Sequence, residues 1–259
     1  MFNYYSVVLT GGGARGAVQV GMLKAIKDSK IKVSEVIGTS VGAINGAWFA
    51  YSKPIDELEE IWLNANKKDI FPSNPLSYIK GLLYKNHTVG NAGLQKFVNL
   101  LPDETIEKAD IPLTVMTTKL ITGDTVPHRT GNLRQIVLAS CSIPGVFKPV
   151  LITGEEHIDG CVTAMAPYEY TKKRLFKKTL VLDASGLTIQ QPRSAFDVFR
   201  TGFNHSMRKD LKFDNKNIYF ITPKSDIFNK HDGRSFDSTK DLLDIGYNEM
   251  KNYINTMNL

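Results

Sequence analysis

Cysteine is nearly missing from this chain: Cys141 and Cys161 are the only two in 259 residues. Two thiols cannot build the disulfide framework of a small secreted fold, so a reducing compartment is the expectation. No stretch approaches the roughly 18 consecutive apolar residues of a membrane-spanning helix. The first residues, Met1-Phe2-Asn3-Tyr4-Tyr5, carry no basic region and no small-residue cleavage site, and no secretory signal is expected. There is no internal repeat, low-complexity tract or domain linker. No Cys/His spacing suggests a metal, no calcium-loop pattern occurs, and no nucleic-acid module is recognisable. These absences leave a single globular domain over residues 1–259, expected in the cytoplasm, needing neither metal nor cofactor and binding no nucleic acid.

Hydrophobic residues make up 42% and charged residues 22%, the proportions of a globular protein long enough to bury a sizeable core. The net charge of +6 is uneven. Between Tyr170 and Lys224, twelve lysines and arginines stand against four aspartates. A solvated basic face explains this; so does a surface that docks peripherally on anionic lipid headgroups.

Strand-like runs at Tyr4–Leu9, Ser34–Ile37, Pro112–Thr117, Thr179–Asp183 and Ile218–Thr222 alternate with helical stretches at Gly16–Asp28, Val41–Tyr51, Ile55–Asn64, Asn132–Ala139 and Ser238–Ile254. That alternation predicts an α/β fold with a mainly parallel sheet. In the last helix Leu243, Tyr247, Met250 and Ile254 fall on one face. Thr122-Gly123-Asp124 and Gly154-Glu155-Glu156 read as hairpin turns. Two stretches, Pro75–Tyr84 and Ala195–Leu211 with Phe196, Phe199 and Phe203, fit either core-packed helices or lipid contacts.

The chemistry-bearing residues fall at the ends of the predicted strands. Gly38-Thr39-Ser40-Val41-Gly42 follows the apolar run Val33–Ile37 and opens a helix. A serine on such a turn is pushed out of the backbone beside a helix N-terminus, and the flanking Gly38 and Gly42 leave room for the neighbouring strand and helix. Gly11-Gly12-Gly13-Ala14-Arg15-Gly16 follows the first strand. Consecutive glycines let backbone N–H groups converge on one point, which is what an oxyanion hole requires. The same residues fit a dinucleotide fingerprint at Gly11, Gly13 and Gly16. That reading wants an acid at the end of the second strand, whereas Glu35 lies near its beginning. Asp159-Gly160 ends a short apolar segment and, by itself, reads equally as a turn. A Ser-Asp-His triad built from Ser40, Asp183 and His205 or His231 has a permitted chain order. It demands several strands before the elbow, and Ser40 follows only the second.

The glycine loop, the elbow, Ala139-Ser140-Cys141-Ser142-Ile143-Pro144-Gly145-Val146-Phe147-Lys148-Pro149-Val150 and Asp159-Gly160 occur in the order and spacing of the patatin-like phospholipases, which the chain resembles from about Tyr5 to Ser185. The resemblance implies a patatin-like three-layer fold, a mainly parallel central sheet flanked by helices. It implies a serine carboxylic ester hydrolase of the phospholipase A or lysophospholipase type, with an acyl lipid as substrate. Ser40 would be the nucleophile, Asp159 its only partner, and the N–H groups of Gly11, Gly12 and Gly13 the oxyanion hole. Arg15 would hold the family's basic position, and Gly38, Gly42 and Gly160 would support the turns. Where the family shows Gly or Ala after Asp-Gly, this chain has Cys161. In a dyad Asp159 must itself act as base, and partial burial would raise its pKa toward the working range. His157 would share a strand face with Asp159 as a structural residue. The alternative is a catalytically silent scaffold that binds lipid or a partner.

Overall fold

The Tyr-Ser-Val-Val-Leu strand β1 (Tyr5–Leu9) is buried at every position, as expected of a central strand covered on both faces. The structure, a computed structural model, describes residues 4–71, 86–171, 178–186, 201–202, 205–206, 217–231 and 233–257. Pro75–Tyr84 and all but four residues of Ala195–Leu211 lie outside the described residues, and so does most of the basic region.

After β1 come α1 (Ala17–Asp28), β2 (Val33–Thr39), α2 (Val41–Ala50), α3 (Ile55–Asn64), the short α4 (Lys67–Ile70) and α5 (Ala92–Val98). The chain continues through β3 (Leu113–Lys119), β4 (Thr125–His128), α6 (Leu133–Ser140), β5 (Val150–Ile152), β6 (Glu155–Asp159), β7 (Lys178–Leu182), β8 (Ile218–Ile221), α7 (Asp226–Lys230) and α8 (Thr239–Met257). The sheet order is β5-β6-β3-β2-β1-β7-β8, with β4 also paired to β3. The strands β3, β2, β1, β7 and β8 are mutually parallel. Among the described strands, β4 and β6 each pair antiparallel with β3, and β5 pairs antiparallel with β6. Both expected hairpins form. The β5–β6 turn has Thr153 at φ 49° and Gly154 at φ 88°, the positive pair that matches the twist of a two-residue hairpin.

Strand alternation sorts the core. Val7, Leu9, Val36, Val115, Leu180 and Leu182 pack with residues of α1, α2, α3, α6 and α8. Their neighbours Val8, Ile37, Met116 and Val181 pack on the opposite face with Ala164, Ala166 and Tyr168. A buried polar chain ties the helices to the sheet. Trp62 Nε1 donates to Asn45 Oδ1 (3.0 Å), and Asn45 Nδ2 donates to Gln19 Oε1 (3.1 Å). Gln19 Nε2 donates to the carbonyls of Thr10 (2.8 Å) and Leu182 (3.0 Å). Thr10 and Leu182 stand where β1 and β7 end, so the chain holds the edge of the sheet that carries the candidate site.

Candidate active site

In parallel sheets functional groups gather outside the carboxyl ends of the strands, near the point where strand order reverses. Here β1 lies between β2 and β7. The glycine loop leaves β1, and Ser40 leaves β2. Asp159 arrives differently: it ends the antiparallel strand β6, opposite Thr117 of β3. Parallel strand ends and one antiparallel strand end thus meet at the same edge.

Ser40 adopts φ 54°, ψ −130°, among the few positive-φ residues that are not glycine. Such a conformation costs on the order of 1–3 kcal/mol and persists only where the surroundings enforce it. The enforcement is visible. A Cβ on Gly38 would stand 2.3 Å from the Gly42 carbonyl oxygen, so the turn closes only on a glycine. The Ser40 N–H donates to Ser140 Oγ at 2.9 Å. The Asp159 N–H donates to the Ser142 carbonyl at 2.9 Å. The Ala139-to-Val150 segment therefore braces both residues, a physical reason for its place between elbow and Asp-Gly.

The outcome is a short contact: Ser40 Oγ donates to Asp159 Oδ2 at 2.7 Å. The carboxylate also accepts the Cys161 N–H at 2.8 Å on Oδ1. Asp159 is only 3% exposed. Burial pushes its pKa up to about 6, against the opposing hydrogen bonds from Cys161 and Ser40. Burial likewise raises the thiols of Cys141 and Cys161 well above the usual range, which keeps both protonated and unreactive at neutral pH.

The glycine loop packs against the same point. A Cβ on Gly11 would lie 2.0 Å from Cys161 Sγ and 3.1 Å from Ser40 Cβ, and one on Gly12 would lie 2.2 Å from the Ala184 carbonyl oxygen. Among the described residues, no hydrogen bond uses the N–H of Gly11, Gly12 or Gly13. The loop then tightens into a 3₁₀ turn, Gly13–Gly16, that feeds α1.

Arg15 is turned to a different task from facing Ser40. Its guanidinium donates to the Gly186 carbonyl and, from Nε (3.2 Å) and Nη2 (3.0 Å), to the His231 carbonyl. It also lies 5.9 Å from the Phe228 ring centroid. The Ala14 N–H donates to Gly233 O at 2.8 Å. Arg15 thus fastens the segment after α7 onto the glycine loop, a contact spanning more than 200 residues of sequence that no local pattern announces.

The histidines stand apart from the Ser40–Asp159 pair. His157 Nδ1 and His128 Nε2 each lie 2.8 Å from Thr117 Oγ1. Burial and the neighbouring ring push His128 down to about 4, so its ring is neutral at physiological pH, and burial lowers His157 as well. Asp183, the acid of the triad alternative, accepts hydrogen bonds from Thr10, Ser185 and Thr222 rather than from an imidazole. His205 is exposed, and His231 Nδ1 accepts the Gly233 N–H. Glu35, the acid nearest to a ribose-binding position, accepts from Ser6 Oγ at 2.6 Å in mid-sheet. Among the described residues no group of three or more His, Cys, Asp or Glu could hold a metal ion, and no helix is long and apolar enough to cross a membrane.

An open α/β sheet with a serine elbow and a buried aspartate at one edge defines a recognisable class. The sequence model of the Patatin-like phospholipase family matches residues 7–172, and the chain belongs to that family. It is 28% identical over 188 residues to patatin-like phospholipase domain-containing protein 7 of Rattus norvegicus, covering 70% of this chain and 14% of that protein. It is 30% identical over 159 residues to neuropathy target esterase sws of Drosophila grimshawi, covering 60% of this chain and 11% of that protein. The chain therefore spans about a seventh or less of the length of these curated relatives. Among solved structures, human GIVD cytosolic phospholipase A2 in complex with methyl gamma-linolenyl fluorophosphonate shares the fold. Its TM-score is 0.52 at 10% identity, over 99% of this chain and 58% of that one. The type III effector protein ExoU gives a TM-score of 0.50 at 13% identity, over 99% and 53%.

Proposed function

We propose that this domain is a serine lipid acyl hydrolase working through a Ser40–Asp159 dyad. The observation that carries the reading is the 2.7 Å bond from Ser40 Oγ to Asp159 Oδ2. A serine hydroxyl becomes nucleophilic when a base takes its proton as it attacks. Asp159 is placed to take it, and burial tunes it toward neutrality, where a general base works best. In the first half-reaction Ser40 Oγ bonds to the ester carbonyl carbon and its proton moves to Asp159. The N–H groups of Gly11, Gly12 and Gly13 receive the developing oxyanion. Collapse breaks the ester C–O bond, and Asp159 returns the proton to the departing alcohol. In the second half Asp159 takes a proton from water, which attacks the acyl-serine. The bond from the acyl carbon to Ser40 Oγ breaks, Asp159 returns the proton to Oγ, and the fatty acid leaves with Ser40 restored. Membership of the family and the esterase and phospholipase names of the relatives support a lipid ester as substrate.

Fatty-acid release from phospholipid vesicles tests this reading, with Gly12→Ala as the diagnostic variant. The new methyl meets the Ala184 carbonyl, which is backbone and cannot swing aside, so the Gly12 amide must turn. Loss of one oxyanion donor costs roughly a hundred- to a thousandfold in turnover, and that fall in kcat is the expected result. A wild-type protein that binds the vesicles yet releases no fatty acid would instead identify a silent lipid-binding scaffold.

The basic excess between Tyr170 and Lys224 supports docking on anionic membranes as part of the same proposal. Each basic residue near such a surface contributes about 1 kcal/mol, and salt screens the attraction. Co-sedimentation should favour phosphatidylserine vesicles over neutral ones and weaken as salt rises. Equal, salt-independent binding to both would remove this part of the reading.

A further inference from the structure

Asp183 is a buried carboxylate, 2% exposed, that the proposed reaction does not use. Its Oδ1 accepts the Ser185 N–H at 2.8 Å, the Ser185 hydroxyl at 2.5 Å and the Thr10 hydroxyl at 3.3 Å, and its Oδ2 accepts the Thr222 hydroxyl at 2.9 Å. Through Thr10 this cluster touches the glycine loop directly, because Thr10 is the residue before Gly11. Every polar atom of Thr10 is engaged. Its N–H donates to Leu182 O (3.3 Å), and its carbonyl accepts from Gln19 Nε2 (2.8 Å). Its Oγ1 accepts the Ala184 N–H (2.9 Å), and its hydroxyl proton is shared between Gly11 O (3.1 Å) and Asp183. The Ala184 carbonyl, oriented by the same peptide run, is the surface on which Gly12 rests.

A three-glycine loop has little of its own to fix the direction of its amides, yet oxyanion stabilisation depends on donors fixed before charge develops. The bracing has to come from outside the loop, and the chain leaving β7 supplies it. We propose that Thr10 and Asp183 are positioning residues that lock the glycine loop in its oxyanion-binding conformation. This inference rests on the reading of that loop given above.

The test compares Thr10→Val, which keeps the shape but removes the hydroxyl, with Thr10→Ser, which keeps the hydroxyl, and with Asp183→Asn. Three quantities are measured on the full chain: kcat and KM on a small soluble ester, the rate of fluorophosphonate labelling, and the thermal midpoint. Thr10→Val should lower kcat by about ten- to a hundredfold and slow labelling in parallel, with KM changed less than about threefold. Thr10→Ser should recover most of the wild-type rate, and Asp183→Asn should show the same kcat-selected loss. A folded Thr10→Val with unchanged kcat, a loss expressed in KM alone, or a Thr10→Ser as slow as Thr10→Val would overturn the inference. If Thr10→Val does not fold, Asp183→Asn decides: wild-type kcat there would overturn it. Gly12→Ala separates the two levels. Full activity in Gly12→Ala removes the oxyanion reading itself, whereas its loss beside an unaffected Thr10→Val removes only the positioning role.

Discussion

Ser40→Ala is expected to abolish ester hydrolysis and fluorophosphonate labelling while the protein remains folded. Removing a nucleophile of this type costs on the order of 10⁴- to 10⁶-fold in turnover. The fold should tolerate the change because the enforcing contacts are backbone ones. The Ser40 N–H still donates to Ser140 Oγ, and Gly38 still accommodates the Gly42 carbonyl. Alanine and serine bear similar strain at φ 54°. The one group left wanting is Asp159 Oδ2, which loses its donor. A carboxyl already raised to about 6 by burial should then titrate higher still. Activity or labelling that survives in a folded Ser40→Ala protein would place the nucleophile elsewhere.

Asp159→Asn is expected to be as inactive as Ser40→Ala and more stable than wild type at neutral pH. The inactivity follows because an amide cannot take the Ser40 proton. The stability follows from the direction of the pKa shift. The folded carboxyl titrates at about 6, above the ordinary 3.8. Between those values the folded protein holds a proton that the unfolded chain has released, so stability falls as pH rises through the window. Above pH 6 the buried charge costs up to about 3 kcal/mol, and asparagine, able to keep the Cys161 N–H bond, relieves it. The stability advantage of Asp159→Asn should therefore be small at pH 4 and grow to a plateau above pH 6. The kcat/KM of the wild type should rise through about pH 6 as the base ionises. Urea unfolding and a pH–rate profile check the two halves. No gain in stability, together with a rate profile flat from pH 5 to 7, would contradict the assignment.

Where residues carry their own local signal, the sequence was readable. Ile55-Asp56-Glu57 after Pro54 begins a helix whose observed span, Ile55–Asn64, matches the expected one. The Gly-x-Ser-x-Gly turn announces the strand-to-helix elbow because only glycine fits beside it. The two hairpins follow from their glycines. Elements held by distant partners were less legible. Strand β3 runs two residues past its expected end, to Lys119, because β4 and β6 pair with that extension. Strand β6 pairs from Thr117 through that extension and so sets Thr117 opposite Asp159, a register no local pattern encodes. Asp183 looked like a triad acid from its place at a strand end, and its hydroxyl partners come from three separate segments. Gly246, buried inside α8, has no local pattern that accounts for it. Its reason is the Val18 carbonyl of α1, 1.9 Å from where a Cβ would stand.

The most direct test of the dyad is to treat the protein with a fluorophosphonate and map the modified residue by peptide mass spectrometry. The account predicts one covalent adduct, on Ser40, absent from Ser40→Ala and formed far more slowly in Asp159→Asn. An adduct on another residue, or equal labelling of wild type and Asp159→Asn, would contradict it.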